Sequence, residues 1–177
     1  DGRWRHEPRH RARMAGSARH LGFAWTEEAW SRALRALVEA HSTGPWRVRV
    51  LCRSDGRVWA TAHAMATSPT PVRLRLAERP FAAAHTSFVR HKTTRRTHHD
   101  AAERVAPGVF DTLLWNDDGE LTECTRGNIA LRFDGGWVTP ALDCGLLPGI
   151  ARQLALDEGR LREAVVPLSA LERVREW

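Results

Sequence analysis

The sequence predicts a mixed α/β (α+β) chain in two parts. A small N-terminal α/β part spans 1–64, and a larger, strand-rich part spans 72–177. Segments with apolar residues at helical spacing are interspersed with segments that alternate at period two. MATSPTP, at 65–71, is small, polar and proline-bearing, the composition of a linker. The hydrophobic fraction of 42% suffices for a packed core and excludes general disorder.

The elements follow in order. Residues 9–21 are rich in Ala and Arg and read as a helix that Gly22 and Phe23 end. Thr26 is an N-cap, with Glu27 and Glu28 in the first turn, where negative charge suits the helix dipole. Trp30, Leu34, Leu37 and Val38 mark the apolar face of that second helix. WRVRVLC alternates and reads as a strand, SDG (54–56) as a turn, and RVWATA as the returning arm of a hairpin. VRLRLA is another strand, and 97–105 reads as helical. DTLLWNDDGELTEC and GNIALRFDGGWVTP each read as strand, turn, strand. A helix begins after Pro148 and Gly149 and stops at Gly159, EAVVPL is a short strand, and Ser169 with Glu172 forms a capping box for a last helix running to Trp177.

Composition narrows the function. The net charge is +6, but the arginines are scattered and no basic stripe is interleaved with aromatics, so no nucleic-acid partner is expected. A GC-rich genome explains the excess of arginine and the scarcity of Lys, Asn, Ile and Tyr. No run of 18 apolar residues and no signal peptide are visible, so no membrane partner is expected. The three cysteines, Cys52, Cys124 and Cys144, have neither disulfide-scaffold nor zinc spacing and suit a reducing, cytoplasmic location. The first residue is Asp1, not Met, so a fragment or a trimmed product is expected.

Lys92 is the only lysine among 27 basic residues. Arginine replaces lysine as a surface charge but not as a neutral amine, because guanidinium stays protonated. Lys92 is therefore either a solvated surface lysine or an amine able to form a Schiff base, its charge disfavoured by Arg90, Arg95 and Arg96 alongside. Glu123 ends a predicted strand, with Asn128 five residues on. It is either a surface carboxylate or the partner of a cationic ring nitrogen. Pro148 and Gly149 open a helix whose Ile150 and Ala151 N–H groups are available to an anion. Arg13, on the first helix, is a candidate second contact to that anion. An amine, a carboxylate and an anion cradle together match the needs of pyridoxal 5′-phosphate. No metal site is expected. His98 and His99 are adjacent and point to different sides, and His85, His91, His98 and His99 read as solvated residues.

In the same order along the chain, these motifs resemble the class IV aminotransferase family, the fold-type IV pyridoxal-phosphate enzymes. HRARMAGSARHLGF resembles the family's early helix, with Arg13 at its phosphate-contacting arginine, and HKTTRR the segment of the Schiff-base lysine, Lys92. GELTECTRGNIAL resembles the segment that carries the pyridine-nitrogen partner, Glu123. WVTPALDCGLLPGIAR resembles the phosphate turn, with Ile150 and Ala151 as backbone donors, while Asn128, in the Glu123 segment, is a further cofactor-binding candidate. The resemblance is greatest to aminodeoxychorismate lyases, including the lyase-like domain fused to aminobenzoate synthase component I. It implies conversion of 4-amino-4-deoxychorismate to 4-aminobenzoate and pyruvate in folate biosynthesis, a small-molecule substrate and a homodimer. Branched-chain or D-amino-acid aminotransferase activity and a truncated, non-catalytic domain are the alternatives. Three departures stand out. Both ends look short of the segments that the family has before the Arg13 helix and after the last helix. Ala151 stands where a threonine is frequent, and THHD stands where an aromatic, commonly tyrosine, follows the lysine.

Overall fold

A computed structural model describes residues 4–67, 70–100 and 107–177. The chain forms two compact units, Asp1–Pro69 and Thr70–Trp177.

In the first unit, helix α1 (Glu7–His20) begins two residues before the expected Arg9, because Pro8 fits the first turn, where no N–H is needed. It closes at Gly22, whose φ of +69° lets Phe23 N–H reach Ala18 O at 2.8 Å. In helix α2 (Glu27–Ala40) the Thr26 side chain accepts from Ala29 N–H at 3.1 Å, as a capped start requires. Trp30, Leu34 and Leu37 are buried; Val38 is half-buried. Trp30 Nε1 donates to Glu7 Oε1 at 2.6 Å and so joins α2 to α1. Strands β1 (Trp46–Cys52) and β2 (Val58–Ala64) pair antiparallel, Trp46 opposite Ala64 and Cys52 opposite Val58, and α2 packs on β2.

The second unit contains two three-stranded sheets. In one, β3 (Leu74–Leu76) runs parallel to β4 (Asp111–Trp115), and β4 pairs antiparallel with β5 (Leu121–Cys124). In the other, β6 (Leu131–Phe133) pairs antiparallel with β7 (Gly136–Pro140), which runs parallel to β8 (Arg162–Ala164). Successive residues of a strand face opposite sides of a sheet, so β4 serves two cores. Leu113 joins Leu121, Leu131, Val138 and Val166, while Leu114 joins Ala77, Phe81, Ala84 and Val89. A short helix, α3 (Thr97–Asp100), lies within the stretch expected to be helical; residues 101–105 of that expectation fall outside the described residues. Helix α4 (Ile150–Asp157) follows Gly149 as expected.

Three expectations are corrected. The strand expected over VRLRLA narrows to Leu74–Leu76, the residues paired with β4. The strand expected over EAVVPL is displaced to Arg162–Ala164, because these residues pair with Val138–Pro140. Val166 instead gives its carbonyl to Leu121 N–H at 2.8 Å. The last helix is not an α-helix capped by Ser169 but a 3-10 segment, Leu168–Arg173, that starts after Pro167. It stops because the chain then pairs with β6: Arg132 N–H donates to Glu176 O at 2.9 Å and Arg175 N–H to Arg132 O at 2.8 Å.

Gly145 joins the segment before α4 to the segment before Lys92. Its φ is +96°, and a Cβ there would lie 2.1 Å from Ala84 O. Backbone against backbone cannot give way as a flexible side chain can. Gly145→Ala is expected to destabilise the protein by about 2–3 kcal/mol, measured as a lowered midpoint of urea unfolding relative to Gly159→Ala. Gly159 is also left-handed, but a Cβ there would meet open space.

Candidate active site

Lys92 follows a 3-10 turn, Ser87–Arg90, which is pinned by Val89, 2% exposed in the second core. His91 N–H closes the turn onto Phe88 O at 3.1 Å. The turn is anchored from beneath, and Lys92 lies exposed at the wall of a cleft. Glu123, at the end of β5, and Asn128 line the same cleft, so three of the residues singled out by sequence meet there. The floor after β5 is held by Asp111. Its Oδ1 accepts from Thr125 N–H at 3.1 Å and Thr125 Oγ1–H at 2.6 Å, and its Oδ2 accepts from Arg126 N–H at 3.2 Å.

Glu123 is 3% exposed, and burying a carboxylate requires donors. Asn128 Nδ2 donates to Oε2 at 3.2 Å and Leu147 N–H donates to the same oxygen at 3.3 Å. His99 Nε2 stands 3.4 Å from Oε1. The second proton of the Asn128 amide goes to Leu147 O at 2.8 Å. Asn128 thus ties the carboxylate to the turn that leads into α4. Gly149 is required by the same packing, since a Cβ there would fall 1.9 Å from Asn128 Oδ1. Asn128 acts by positioning Glu123 and this turn.

Gly149 supplies no side-chain cap to α4, and the first N–H groups of a helix have no acceptor within it. The backbone N–H groups of Ile150 and Ala151 are therefore the donors of this helix end, although neither residue lines the cleft itself. Helix α4 is held in place by Arg152, 5% exposed, which donates to Pro140 O at 2.8 Å and pairs with Glu163 on β8. Arg13 belongs to the other unit. It lies half-buried on α1, where burial lowers the pKa of its guanidinium.

The cations of the cleft differ by one from those the sequence set beside Lys92. Arg95, Arg96 and Arg126 line it with Lys92, and Glu123 is the one carboxylate in its described walls. Arg90, expected beside the lysine, is turned to Asp143 Oδ1 at 2.9 Å. Arg96 donates to Thr125 O at 2.6 Å, and Arg95 lies over the Phe88 ring at 5.0 Å. Cys124 also lines the cleft, but burial and the nearby Asp111 and Glu123 push its thiol up to about 12. A thiol held protonated at neutral pH is a poor nucleophile.

Sequence reasoning missed His99, Asp111 and Arg152. His99 is corrected from a solvated residue to a buried one, 8% exposed, with its ring centroid 5.0 Å from that of Phe81. His85 is exposed, as read, near Asp117 and Asp118. The position of His99 in THHD, where the family places an aromatic, was the one signal for it.

The amino-transferase class IV family matches the chain over residues 1–177. The chain belongs to the class IV aminotransferase family. A Schizosaccharomyces pombe protein named "Putative aminodeoxychorismate lyase" is 32% identical over 162 residues, which cover 88% of this chain and 69% of the relative. Among solved structures, a "Putative amino-acid aminotransferase" from Mesorhizobium loti is 35% identical with a TM-score of 0.86, covering 95% of this chain and 83% of that one. A "Putative 4-amino-4-deoxychorismate lyase" from Legionella pneumophila, 20% identical with a TM-score of 0.82 over 93% of this chain and 69% of that one, shares the fold. Members of the class IV family are enzymes that depend on pyridoxal phosphate.

The residues present fit that group. A lone lysine and a buried, braced carboxylate share one cleft, and a helix N-terminus without a side-chain cap is tied to the carboxylate through Asn128. Replacing Asn128 by leucine keeps its bulk and removes both donors, leaving Leu147 O without that partner and Glu123 Oε2 with only the Leu147 N–H. Asn128→Leu is expected to cost about 1–3 kcal/mol in urea unfolding, and a milder loss than about 0.5 kcal/mol would show that the clamp carries no energy.

Proposed function

We propose that this chain binds pyridoxal 5′-phosphate in the Lys92–Glu123 cleft and acts as an aminodeoxychorismate lyase, releasing pyruvate and 4-aminobenzoate from 4-amino-4-deoxychorismate. The observation that carries the reading is the convergence of the chain's only lysine with a buried, donor-braced glutamate in one cation-rich cleft. When bound, pyridoxal phosphate supplies an electron sink for carbanion chemistry. Lys92 Nζ would be the amine that holds it and the base for the proton on the amine-bearing carbon of the substrate. Glu123 would be the carboxylate that keeps its ring nitrogen protonated. The N–H groups of Ile150 and Ala151 would hold its phosphate. Arg95, Arg96 and Arg126 give the cleft a field that draws in a substrate bearing carboxylates.

The name of the S. pombe relative supports the lyase. The Mesorhizobium loti structure, the more identical of the two at 35%, favours a second reading, amino-group transfer to a 2-oxo acid. Cofactor chemistry serves both, so products must separate them. Incubated with 4-amino-4-deoxychorismate, the holoprotein is expected to release equimolar pyruvate and 4-aminobenzoate. Turnover of an amino acid with 2-oxoglutarate, and no 4-aminobenzoate, would replace the lyase by the aminotransferase. In either case Lys92→Ala is expected to abolish turnover. Glu123→Gln is expected to lower kcat by about 100-fold, with the cofactor still bound.

A further inference from the structure

His99 stands at a place the cofactor reading leaves unexplained. It is buried, its ring is packed against Phe81 with centroids 5.0 Å apart and planes at 41°, and its edge lines the Lys92 cleft. Its Nε2 meets Oε1 of Glu123 at 3.4 Å, whereas the other carboxylate oxygen, Oε2, is taken by Asn128 and Leu147. A carboxylate fixed through one oxygen can still pivot about it. A second donor on the other oxygen removes that freedom and sets the plane in which its remaining lone pair points. Because a carboxylate oxygen only accepts, Nε2 is the protonated nitrogen of the His99 ring in this contact.

We propose that His99 is a positioning residue for Glu123: its Nε2–H holds Oε1 so that the second lone pair of that oxygen is aimed into the cleft at an aromatic ring N–H. Phe81 holds the imidazole, the imidazole holds Oε1, and Asn128 with Leu147 holds Oε2. The carboxylate is then oriented before any ligand arrives, and the ligand does not lose free energy in ordering it. His99 itself touches neither the reacting carbon nor Lys92 in this scheme. The inference rests on the proposal that the cleft takes pyridoxal 5′-phosphate, and it adds which residue makes Glu123 competent for the ring nitrogen.

The alternative role for His99 is packing on Phe81 alone. The two differ in what they do to a ligand that lacks the ring nitrogen. Equilibrium titrations of the apoprotein with pyridoxal 5′-phosphate and with its 1-deaza analogue, which carries carbon in place of that nitrogen, separate them. His99→Phe is expected to weaken pyridoxal 5′-phosphate about tenfold and to leave the 1-deaza analogue within about twofold of wild type. His99→Gln, whose amide reaches about as far as Nε2, is expected to recover most of the loss. Should the phenylalanine variant fail to fold, His99→Asn, which withdraws the donor from Oε1, is expected to show the same ligand-selective loss. Equal weakening of both ligands, or of neither, would overturn the role of His99 while leaving the cofactor reading intact. A folded wild-type protein that binds neither ligand would instead overturn the cofactor reading itself.

Discussion

The arrangement of the second unit depends on how a buried carboxylate is satisfied. Glu123 is nearly inaccessible, and such a group is tolerated only where donors replace the water it has lost. Those donors come from three separate places in the chain: Asn128 after β5, the backbone of Leu147 before α4, and His99 after the lysine segment. The need to satisfy one side chain therefore draws together the strand end, the turn and the lysine loop. Gly149 and Gly145 make the approach close enough, the first against Asn128 and the second against the backbone of Ala84. Asp111 and Arg152 then fix the two supporting elements, the bend at Thr125–Arg126 and helix α4.

Much of this was legible in the sequence where the signal is local. The Thr26 cap, the hairpin from Trp46 to Ala64 and the start of α4 after Gly149 follow from capping, alternation and turn residues within a few positions. The failures are where pairing across the fold decides. EAVVPL has strand composition throughout, but only the residues that meet β7 become strand. Ser169 and Glu172 have capping-box spacing, yet Pro167 and the return of the chain to β6 leave only a 3-10 segment. Periodicity carries no information about such distant partners.

The site shows the same division. Lys92, Glu123 and the turn before α4 stood out because rare residues and phosphate-turn residues are visible one segment at a time. Asn128 also stood out, and the structure gives it a specific task, since its amide protons go to Glu123 and Leu147. The rare asparagine earlier in the chain has a comparable task. Asn116 is fully buried and braces the turn between β4 and β5, donating to Glu120 Oε2 at 2.9 Å and to Cys144 O at 3.1 Å. His99 was read as solvated because its place in THHD names no partner, and Phe81 and Glu123, which enclose it, lie far from it in sequence.

The central claim is that the single lysine of this chain is the covalent attachment point of a cofactor braced by Glu123. The sequence makes the measurement simple, because Lys92 is the only side-chain amine. The protein is incubated with pyridoxal 5′-phosphate, reduced with borohydride, digested and mapped by mass spectrometry. The account predicts one phosphopyridoxyl group, on the peptide that contains Lys92. A folded protein labelled only at its N-terminal amine, or not at all, would contradict it.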